Sequence, residues 1–204
     1  MTKVTLYEFE PTRSKKCRWA LLEAELEYES IGNSPQIIGS EELRKVHPLG
    51  KLPAAMIDGR PLFESSAIVT AIADLVPDRN LVAKPGTWER NLHDQWTSFA
   101  TSELEMWAWS GMLNTHDFLL PKEQHVPAVI ARMEMLFKRG ARALEGFLDA
   151  VDYLIENRFT VTDIIVGYAV NLGREIGFLG NEFTNLHAYL DRLYDRQHCT
   201  LSRP

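Results

Sequence analysis

The stretch from His47 to Ile68, HPLGKLPAAMIDGRPLFESSAI, limits what this chain can fold into more than any other segment. Pro53 predicts the start of a strand, because a proline lacks the N–H group that a strand interior needs. Asp58-Gly59 predicts a two-residue type I′ turn, in which both central residues need positive φ. The segment therefore predicts a β-hairpin, followed at Glu64-Ser65-Ser66 by the start of an apolar helix over residues 67–76.

The start of that helix offers a seat for a negatively charged group. Unpaired N–H groups and the positive end of the helix dipole attract a carboxylate, although a serine at a helix start is more often a simple cap. Glu64 adds one fixed negative charge at the same place. Together these groups could hold the head of an α-amino acid, with its carboxylate on the helix end and its ammonium group on Glu64.

The chain divides into two halves of different character. Residues 1–77 mix short strands and helices, beginning with a predicted strand over 3–9, whereas residues 88–204 are predicted to be helical. Residues 78–87 contain Pro85-Gly86, a turn signal, and form the predicted linker. A strand–helix–strand order favours a parallel pair with a right-handed crossover. The predicted fold is therefore α/β plus all-α, with a thioredoxin-like N-terminal domain followed by an all-helical C-terminal domain.

Apolar residues at helical spacing predict the helices of both halves. Thr160 and Asp163 add a capping box, in which the two side chains satisfy backbone N–H groups at the start of a helix. We interpret both residues as structural rather than catalytic. The predicted helices cover residues 14–25, 40–46, 67–76, 88–113, 126–155, 161–178 and 184–197, and a short strand covers 28–31.

Composition narrows the class of protein. The 204 residues are 45% hydrophobic, which is enough for a buried core and argues against intrinsic disorder. A formal net charge of −6 without a basic run argues against nucleic acid as a partner. The polar N-terminus and the lack of an apolar run of roughly 18 residues predict neither a signal peptide nor a membrane span. Two cysteines, Cys17 and Cys199, form no disulfide framework, so the predicted compartment is the cytoplasm.

The hairpin segment and the order of the two halves resemble the cytosolic glutathione S-transferases. The resemblance rests on Gly50-Lys51-Leu52-Pro53 followed by Glu64-Ser65-Ser66-Ala67-Ile68. It implies that glutathione is a co-substrate, that Pro53 is cis, and that the residue before it pairs with the cysteinyl unit. It also implies a homodimer that uses a small hydrophobic electrophile, and no metal. The implied glutathione-binding residues are Lys51, Leu52, Pro53, Glu64 and Ser65.

The residues that would activate glutathione lie between Glu10 and Arg18, in the sequence EPTRSKKCR. The stretch from Ser14 to Arg18 is similar to the Ser-x-x-Cys-Arg stretch of theta-type, serine-using members, which implies that Ser14 activates the thiol. Thr12 is a second hydroxyl candidate, and a backbone N–H group is a third. The Ser-Ser-Cys-Ser pattern of zeta-type members is absent, which argues against a maleylacetoacetate isomerase.

A hydroxyl at a helix start is sufficient for this task. Moving a thiol pKa from about 8.5 to about 6.5 requires roughly 2.7 kcal/mol. A hydrogen bond to a charged acceptor supplies about 1.5–3 kcal/mol, and a helix dipole about 0.3–1 kcal/mol. The site therefore needs no metal and no histidine base.

Several other residues invite a catalytic interpretation but receive a structural one. Tyr7 lies inside the first strand and is predicted to pack in the core. Cys17 lies one turn into the first helix, away from where a catalytic cysteine would stand. His47 could approach the glycyl carboxylate of glutathione or be passive. The basic residues of the first helix, interpreted as a solvated face that could raise the potential around a thiolate, are Lys15, Lys16 and Arg18.

The second substrate is harder to place. Met106, Trp107 and Ser110 recur at helical spacing and are the candidates for an electrophile site, with Phe118 and Tyr168 as weaker candidates. An aromatic and methionine stripe is also what a helix core needs. Two alternatives to a conjugating transferase stay open. One is a non-catalytic interaction protein of the same fold, and the other is a glutathione-dependent isomerase, dehalogenase or peroxidase.

Overall fold

The computed structural model describes residues 2–117 and 119–204 and divides the chain into two compact units. The first unit contains residues up to 84 together with 198–200, and the second contains 85–197 together with 201–204. The first is mixed α/β and the second is helical, which confirms the predicted fold class. Among the described residues, no helix is both long enough and apolar enough to cross a membrane.

The first unit is built on a four-stranded mixed sheet with the order β2-β1-β3-β4. β1 pairs with β2 in parallel, and the other neighbours are antiparallel, so the predicted parallel crossover through α1 is confirmed. The strands are β1 (Val4–Glu8), β2 (Glu29–Gly32), β3 (Ala54–Ile57) and β4 (Arg60–Phe63), the helices are α1 (Ser14–Glu23), α2 (Glu41–Arg44) and α3 (Ser65–Asp74), and 3-10 turns cover Pro35–Ile37 and Pro77–Arg79.

β1 lies inside the sheet, and all of its residues are buried. Burial on both faces removes the simple alternation of apolar and polar residues that a half-exposed strand shows. Tyr7 is 8% exposed and packs with Leu43, Val46 and Ala54, as predicted. Burial raises the pKa of the Tyr7 hydroxyl, and the charges of nearby glutamates add to the effect. Tyr7 is therefore a core residue.

The predicted hairpin between β3 and β4 is present. Its turn residues, Asp58-Gly59, have φ values of 47° and 76°, as a type I′ turn requires. At the opposite end of the hairpin, Ala54 pairs with Phe63. Pro53 precedes Ala54, and Glu64 follows Phe63. The hairpin register therefore places these two residues next to each other at the same edge of the sheet.

The second unit is organised around α7, in which residues 161–173 are all buried. A Cβ atom on Gly173 would lie only 2.0 Å from Cζ of Phe137, so the ring of Phe137 lies against this helix because the residue is glycine. The helices are α4 (Trp88–Phe99), a π-helix (Ala100–Glu105), α5 (Met106–Leu113), α6 (Ile130–Phe147), α7 (Val161–Glu175) and α8 (Thr184–Tyr194), with 3-10 turns at Lys122–Gln124 and Pro127–Val129.

The predicted capping box at the start of α7 is confirmed. The Thr160 N–H donates to Oδ2 of Asp163 at 2.8 Å, and the Thr160 side chain accepts from the first turn of the helix. Asp163 Oδ1 accepts from the Leu154 N–H at 3.1 Å and from the Tyr189 hydroxyl at 3.0 Å. Burial raises the pKa of Asp163 to about 6, against the lowering effect of these hydrogen bonds. Both residues therefore have a structural role.

The predicted helix over 126–155 is too long at both ends. A 3-10 turn precedes α6, and the chain leaves the helix after Phe147. In the segment that follows, the side chain of Asn157 accepts hydrogen bonds from the N–H groups of Asp152 at 2.7 Å and Tyr153 at 3.2 Å. Side-chain acceptors of this kind compete with the helix for backbone donors. These bonds hold residues 152 and 153 outside a helix, so the apolar spacing that continues to 155 does not extend α6.

The predicted helix over 88–113 is continuous but not uniform, because Ala100–Glu105 winds as a π-helix. A π turn contains more residues than an α turn, so every position after it is rotated relative to a straight α-helix. α6 packs closely against this segment, and a Cβ atom on Gly140 would lie 2.6 Å from the carbonyl oxygen of Glu103. Helical spacing alone therefore misassigns the faces of residues beyond 105.

Candidate functional site

The loop before β3 carries the first part of the candidate glutathione site. The Leu52–Pro53 peptide bond is cis, as the resemblance implies, and Pro53 is buried. Within the described residues, neither the N–H nor the C=O of Leu52 has a hydrogen-bond partner, so both are available to an extended ligand. Lys51 is exposed beside them.

Gly50 shapes this loop. Its φ is 59°, and a Cβ atom there would lie 2.9 Å from Cα of Gly39. The Gly39 N–H donates to the Gly50 carbonyl at 2.9 Å, which joins the two chain segments. Only glycine combines this close approach with a positive φ at no steric cost. The residue therefore holds the backbone that leads into Leu52.

The start of α3 carries the second part. Glu64 occupies the cap position with φ 71° and ψ 113°, a conformation that costs energy in a residue with a side chain. Its side chain is exposed and makes no capping hydrogen bond. Ser65 is the first helical residue, so the sequence-based interpretation of a serine cap is wrong. Because no side chain caps this helix, its first N–H groups stay available to an anion.

The hydroxyl of Ser65 is also available. Ser65 is 6% exposed, and its hydroxyl has no partner among the described residues. Its carbonyl oxygen is 3.7 Å from Sγ of Cys17, which links α3 to α1. The hydroxyl and the helix amides thus form one group of donors, with Glu64 as the neighbouring acceptor.

Thr12, in the loop after β1, and Ser14, at the start of α1, are joined by a hydrogen bond of 2.6 Å between their side-chain oxygens. The Thr12 hydroxyl donates to the carbonyl of Phe9 at 2.5 Å, so in this pair Ser14 is the donor to Thr12. The Phe9 N–H in turn donates to the Ser14 hydroxyl at 3.4 Å. Both hydroxyl protons are therefore already donated within the protein. To donate to a thiolate, one of the two hydroxyls would have to give up its present acceptor.

The two hydroxyls differ in accessibility. Ser14 is 2% exposed, whereas Thr12 is partly exposed. Ser14 is the first residue of α1, and Arg13 occupies the cap position without a capping side-chain bond, so Ser14 is not the helix cap. The relative exposure was not predictable from the sequence pattern, which favours Ser14 by resemblance alone.

The three parts are brought together by the sheet. Tyr7 near the end of β1 pairs with Ala54 at the start of β3, and Ala54 pairs with Phe63 at the end of β4. The segments that continue from these positions are the Thr12–Ser14 loop, the Leu52–Pro53 bond and the start of α3. The predicted residues of the first unit therefore meet at one edge of the sheet.

Cys17 has no catalytic geometry. It is fully buried in α1, and burial raises the pKa of its thiol to about 12. A thiol is a nucleophile only when it is ionised. Cys17 is therefore an inert packing residue, in agreement with its position one turn into the helix.

His47 is a structural residue of the loop. It is 5% exposed, and its Nδ1 accepts a hydrogen bond from the Leu49 N–H at 3.0 Å. Its ring lies 5.0 Å from the ring of Phe63. Within 2–117 and 119–204, no cluster of metal-binding side chains is present.

The interpretation of the basic residues of α1 as a solvated face is wrong. Lys16 is 1% exposed. The side chains of Lys15 and Arg18 are 15% and 27% exposed and contact carboxylates at the end of β1. The sequence contains no signal for this pairing, because Glu8 and Glu10 lie in and after a strand whose other residues are mostly apolar.

The electrophile-site candidates all lie in the second unit, and their surroundings differ. Met106 is 44% exposed, whereas Nε1 of Trp107 is buried without a partner among the described residues. The Ser110 carbonyl accepts from the Asn114 side chain at 2.8 Å. Tyr168 is buried in α7, and Phe118 lies outside the described residues. The assignment of Met106, Trp107 and Ser110 stays a prediction.

Comparisons with known proteins identify relatives of the first unit and of most of the chain. Residues 2–74 match the glutathione S-transferase N-terminal domain family. The chain is 29% identical to the glutathione S-transferase GstA of Escherichia coli O157:H7 over 158 residues, which cover 74% of this chain and 71% of that protein. It is also 27% identical to a probable elongation factor 1-gamma 2 of Arabidopsis thaliana over 158 residues, but spans only 36% of that protein.

Solved structures show the same architecture over nearly the whole chain. The glutathione transferase URE2P6 of Phanerochaete chrysosporium, in complex with oxidized glutathione, has a TM-score of 0.83 at 25% identity, covering 96% of this chain and 92% of that one. The theta class enzyme of Xanthomonas axonopodis pv. citri, with glutathione bound, has a TM-score of 0.83 at 24% identity, covering 100% and 99%. Residues 2–74 therefore form a glutathione S-transferase N-terminal domain, and the chain as a whole has the fold of the glutathione transferases.

Proposed function

We propose that this protein is a glutathione transferase that ionises the glutathione thiol for attack on a small apolar electrophile. The observation that supports this most strongly is the convergence of unsatisfied groups at one sheet edge. These groups are the Leu52 backbone, the Ser65 hydroxyl and the uncapped start of α3. A chain that needed only the fold would gain nothing from leaving them unpaired.

Each part of glutathione has a chemical counterpart at this edge. The α-carboxylate of the γ-glutamyl unit suits the α3 amides and the Ser65 hydroxyl, which are donors at the positive end of a helix. Its ammonium group suits the exposed carboxylate of Glu64. The cysteinyl unit can pair with the backbone of Leu52 as an added extended segment. Lys51 adds a positive charge for the remaining carboxylate.

We assign the stabilisation of the glutathione thiolate to the hydroxyl groups of Thr12 and Ser14. Either hydroxyl can donate to the sulfur once it releases its present acceptor, and the second hydroxyl then supports the first. One charged hydrogen bond is worth about 1.5–3 kcal/mol, which is enough to lower a thiol pKa by about one to two units. The thiolate then forms a C–S bond, and the electrophile's leaving group departs with the bonding pair.

The proposal also covers the second substrate, the compartment and the oligomeric state. Met106, Trp107 and Ser110 are the proposed contacts of a small hydrophobic second substrate, and the cytoplasm is the proposed compartment. A homodimer is proposed because Leu49 and Phe63 expose apolar surface, at 64% and 41%, next to the glutathione loop. Exposed apolar groups of this size in one place suit contact with a second copy.

A second candidate is a non-catalytic interaction protein of the same fold. The similarity to plant elongation factor 1-gamma proteins favours it, and the chain spans only about a third of the length of those relatives. This candidate predicts no need for the unpaired donors at the sheet edge. It would be the better explanation for a chain that ignores glutathione.

Calorimetric titration with glutathione, followed by thiolate absorbance against pH on the same sample, tests the proposal. S-methylglutathione is the matched control ligand, because it keeps the peptide and has no ionisable thiol. Binding of both ligands with a glutathione thiol pKa well below about 8.5 supports a transferase. Binding without a pKa shift rejects thiol activation, and no binding of either ligand favours the interaction protein.

A further inference from the structure

One arginine of α1 binds the two acidic residues that flank Phe9. Nε of Arg18 is 2.9 Å from Oε2 of Glu8, and Nη1 is 3.1 Å from Oε1 of Glu10. Glu8 is the last residue of β1 and is 1% exposed, whereas Glu10 is partly open to solvent. Two different nitrogens of one planar group therefore hold two different carboxylates on either side of the same residue.

The residue between the two carboxylates positions the proposed catalytic hydroxyls. The Phe9 carbonyl accepts from the Thr12 hydroxyl, and the Phe9 N–H donates to the Ser14 hydroxyl. The Thr12 N–H also donates to the Phe9 carbonyl at 3.0 Å. Any displacement of the Phe9 backbone therefore moves both hydroxyl groups. The arginine acts on the hydroxyls through this one peptide segment.

Other contacts anchor the buried end of this group. Oε1 of Glu8 accepts from the Ser30 hydroxyl at 2.6 Å, and the Glu8 carbonyl accepts from the Asn33 N–H at 3.1 Å. At the outer end, Nζ of Lys15 lies 3.5 Å from Oε2 of Glu10. β2 thus holds Glu8 in place, while the ion-pair partners of Glu10 in the described part of the chain are side chains of α1. The link between Arg18 and Glu10 is the part that ties the loop to the helix.

The same contacts set the local charge. Glu8 and Glu10 contribute two negative charges within a few residues of the thiol-activating pair, and like charges raise the pKa of an acid. Arg18 compensates both carboxylates with a charge that is never lost at working pH. Its removal would leave the buried Glu8 carboxylate without this guanidinium, while Lys15 would still face Glu10 at 3.5 Å.

We infer that Arg18 is a positioning residue for thiol activation, which holds Phe9, and through it Thr12 and Ser14, while neutralising Glu8 and Glu10. This inference rests on the proposed function. A lysine at position 18 would keep the charge but offer one nitrogen in place of the guanidinium fork. A lysine would therefore lose its contact with one of the two carboxylates. A glutamine at this position would lose the positive charge as well.

The test compares the thiol pKa of bound glutathione in the wild type, Arg18→Lys and Arg18→Gln. The expected result is a rise of about one unit in Arg18→Gln, with a smaller rise in Arg18→Lys. For a wild-type thiol pKa of about 6.5 to 7.5, a rise of one unit lowers the thiolate fraction at pH 7 about three- to eightfold. The glutathione Kd should change by less than about twofold, because the carboxylates that Arg18 holds are not among the residues proposed to bind the peptide. A merely structural role would lower thermal stability without moving the thiol pKa.

Arg79→Ala is the matched control, because it breaks an arginine–glutamate pair with Glu25 in the same unit. It should leave the thiol pKa unchanged. If Arg18→Gln does not fold, Arg18→Lys serves as the second variant, since it keeps the positive charge and loses only the guanidinium fork. A rise in thiol pKa in Arg18→Lys supports the inference.

Two results overturn it. In the first, the wild type lowers the thiol pKa of glutathione and the folded Arg18 variants lower it equally. This result would refute the role of Arg18 and leave the proposed function intact. Wild-type protein that does not bind glutathione removes both.

Discussion

Replacing Ser65 with alanine gives the sharpest check on the glutathione site. The Ser65 hydroxyl has no partner among the described residues, so its loss breaks no contact within the protein. The one bond between this residue and α1 uses its backbone carbonyl, which alanine keeps. The free energy of unfolding should therefore change by less than about 0.5 kcal/mol, as for substitutions away from any special contact.

Glutathione affinity should change far more. A hydrogen bond from a hydroxyl to a charged group contributes about 1.5–3 kcal/mol when its loss leaves the charge short of a donor. Each 1.4 kcal/mol corresponds to about a tenfold change in Kd. Because the α3 amides would still contact the carboxylate, the lower part of this range applies, and we expect Kd to rise about tenfold or somewhat more.

Calorimetry on wild type and Ser65→Ala measures this directly, with thermal unfolding on the same samples. Ser98→Ala is the control, since Ser98 is an exposed serine of α4 in the second unit. It should bind glutathione as the wild type does. Affinity within about twofold of wild type in a folded Ser65→Ala protein, against the expected tenfold, would refute the assignment of the anion seat to α3.

Three other predictions follow from the same contacts. Thr12→Val should raise the thiol pKa of bound glutathione at least as much as Ser14→Ala, because Thr12 is the more exposed hydroxyl; absorbance titration checks this, and a shift in Ser14→Ala alone would assign the contact to Ser14. Thr160→Ala should cost about 0.5–2 kcal/mol of unfolding free energy by denaturant titration and leave turnover of the folded protein unchanged; a large loss of turnover would contradict a structural role. Cys17 should resist iodoacetamide at neutral pH until the protein unfolds, since its thiol ionises only near pH 12; mass spectrometry of a Cys199→Ser variant would show rapid labelling if this is wrong.

The best sequence-based predictions rest on local chemistry. The hairpin at Asp58-Gly59 and the capping box of Thr160 and Asp163 follow from the backbone needs of a few adjacent residues. Their geometry is satisfied within the segment, so distant packing changes it little. The helix ends were predicted less well, because side-chain acceptors such as Asn157 hold the residues beyond a helix in another conformation without changing their apolar spacing.

The candidate site was predicted in part. The order of Pro53 and Glu64-Ser65 around a hairpin points to one edge of a sheet, and the register of β3 and β4 places them there. The role of Ser65 as first helical residue rather than cap was not predictable, since the cap position shifts by one residue with the conformation of Glu64. Nor did the spacing of α5 residues reveal the π-helix before them.

The sequence alone determined the class of fold, the hairpin and the residue types that a glutathione site needs, because these depend on neighbours in the chain. Only the tertiary structure decided which side chains are exposed. Lys16 and Ser14 became buried, Thr12 stayed accessible, and Arg18 found two carboxylates rather than solvent. Burial and charge pairing depend on how β1, β2 and α1 pack against each other. No local pattern of residues predicts these packing contacts.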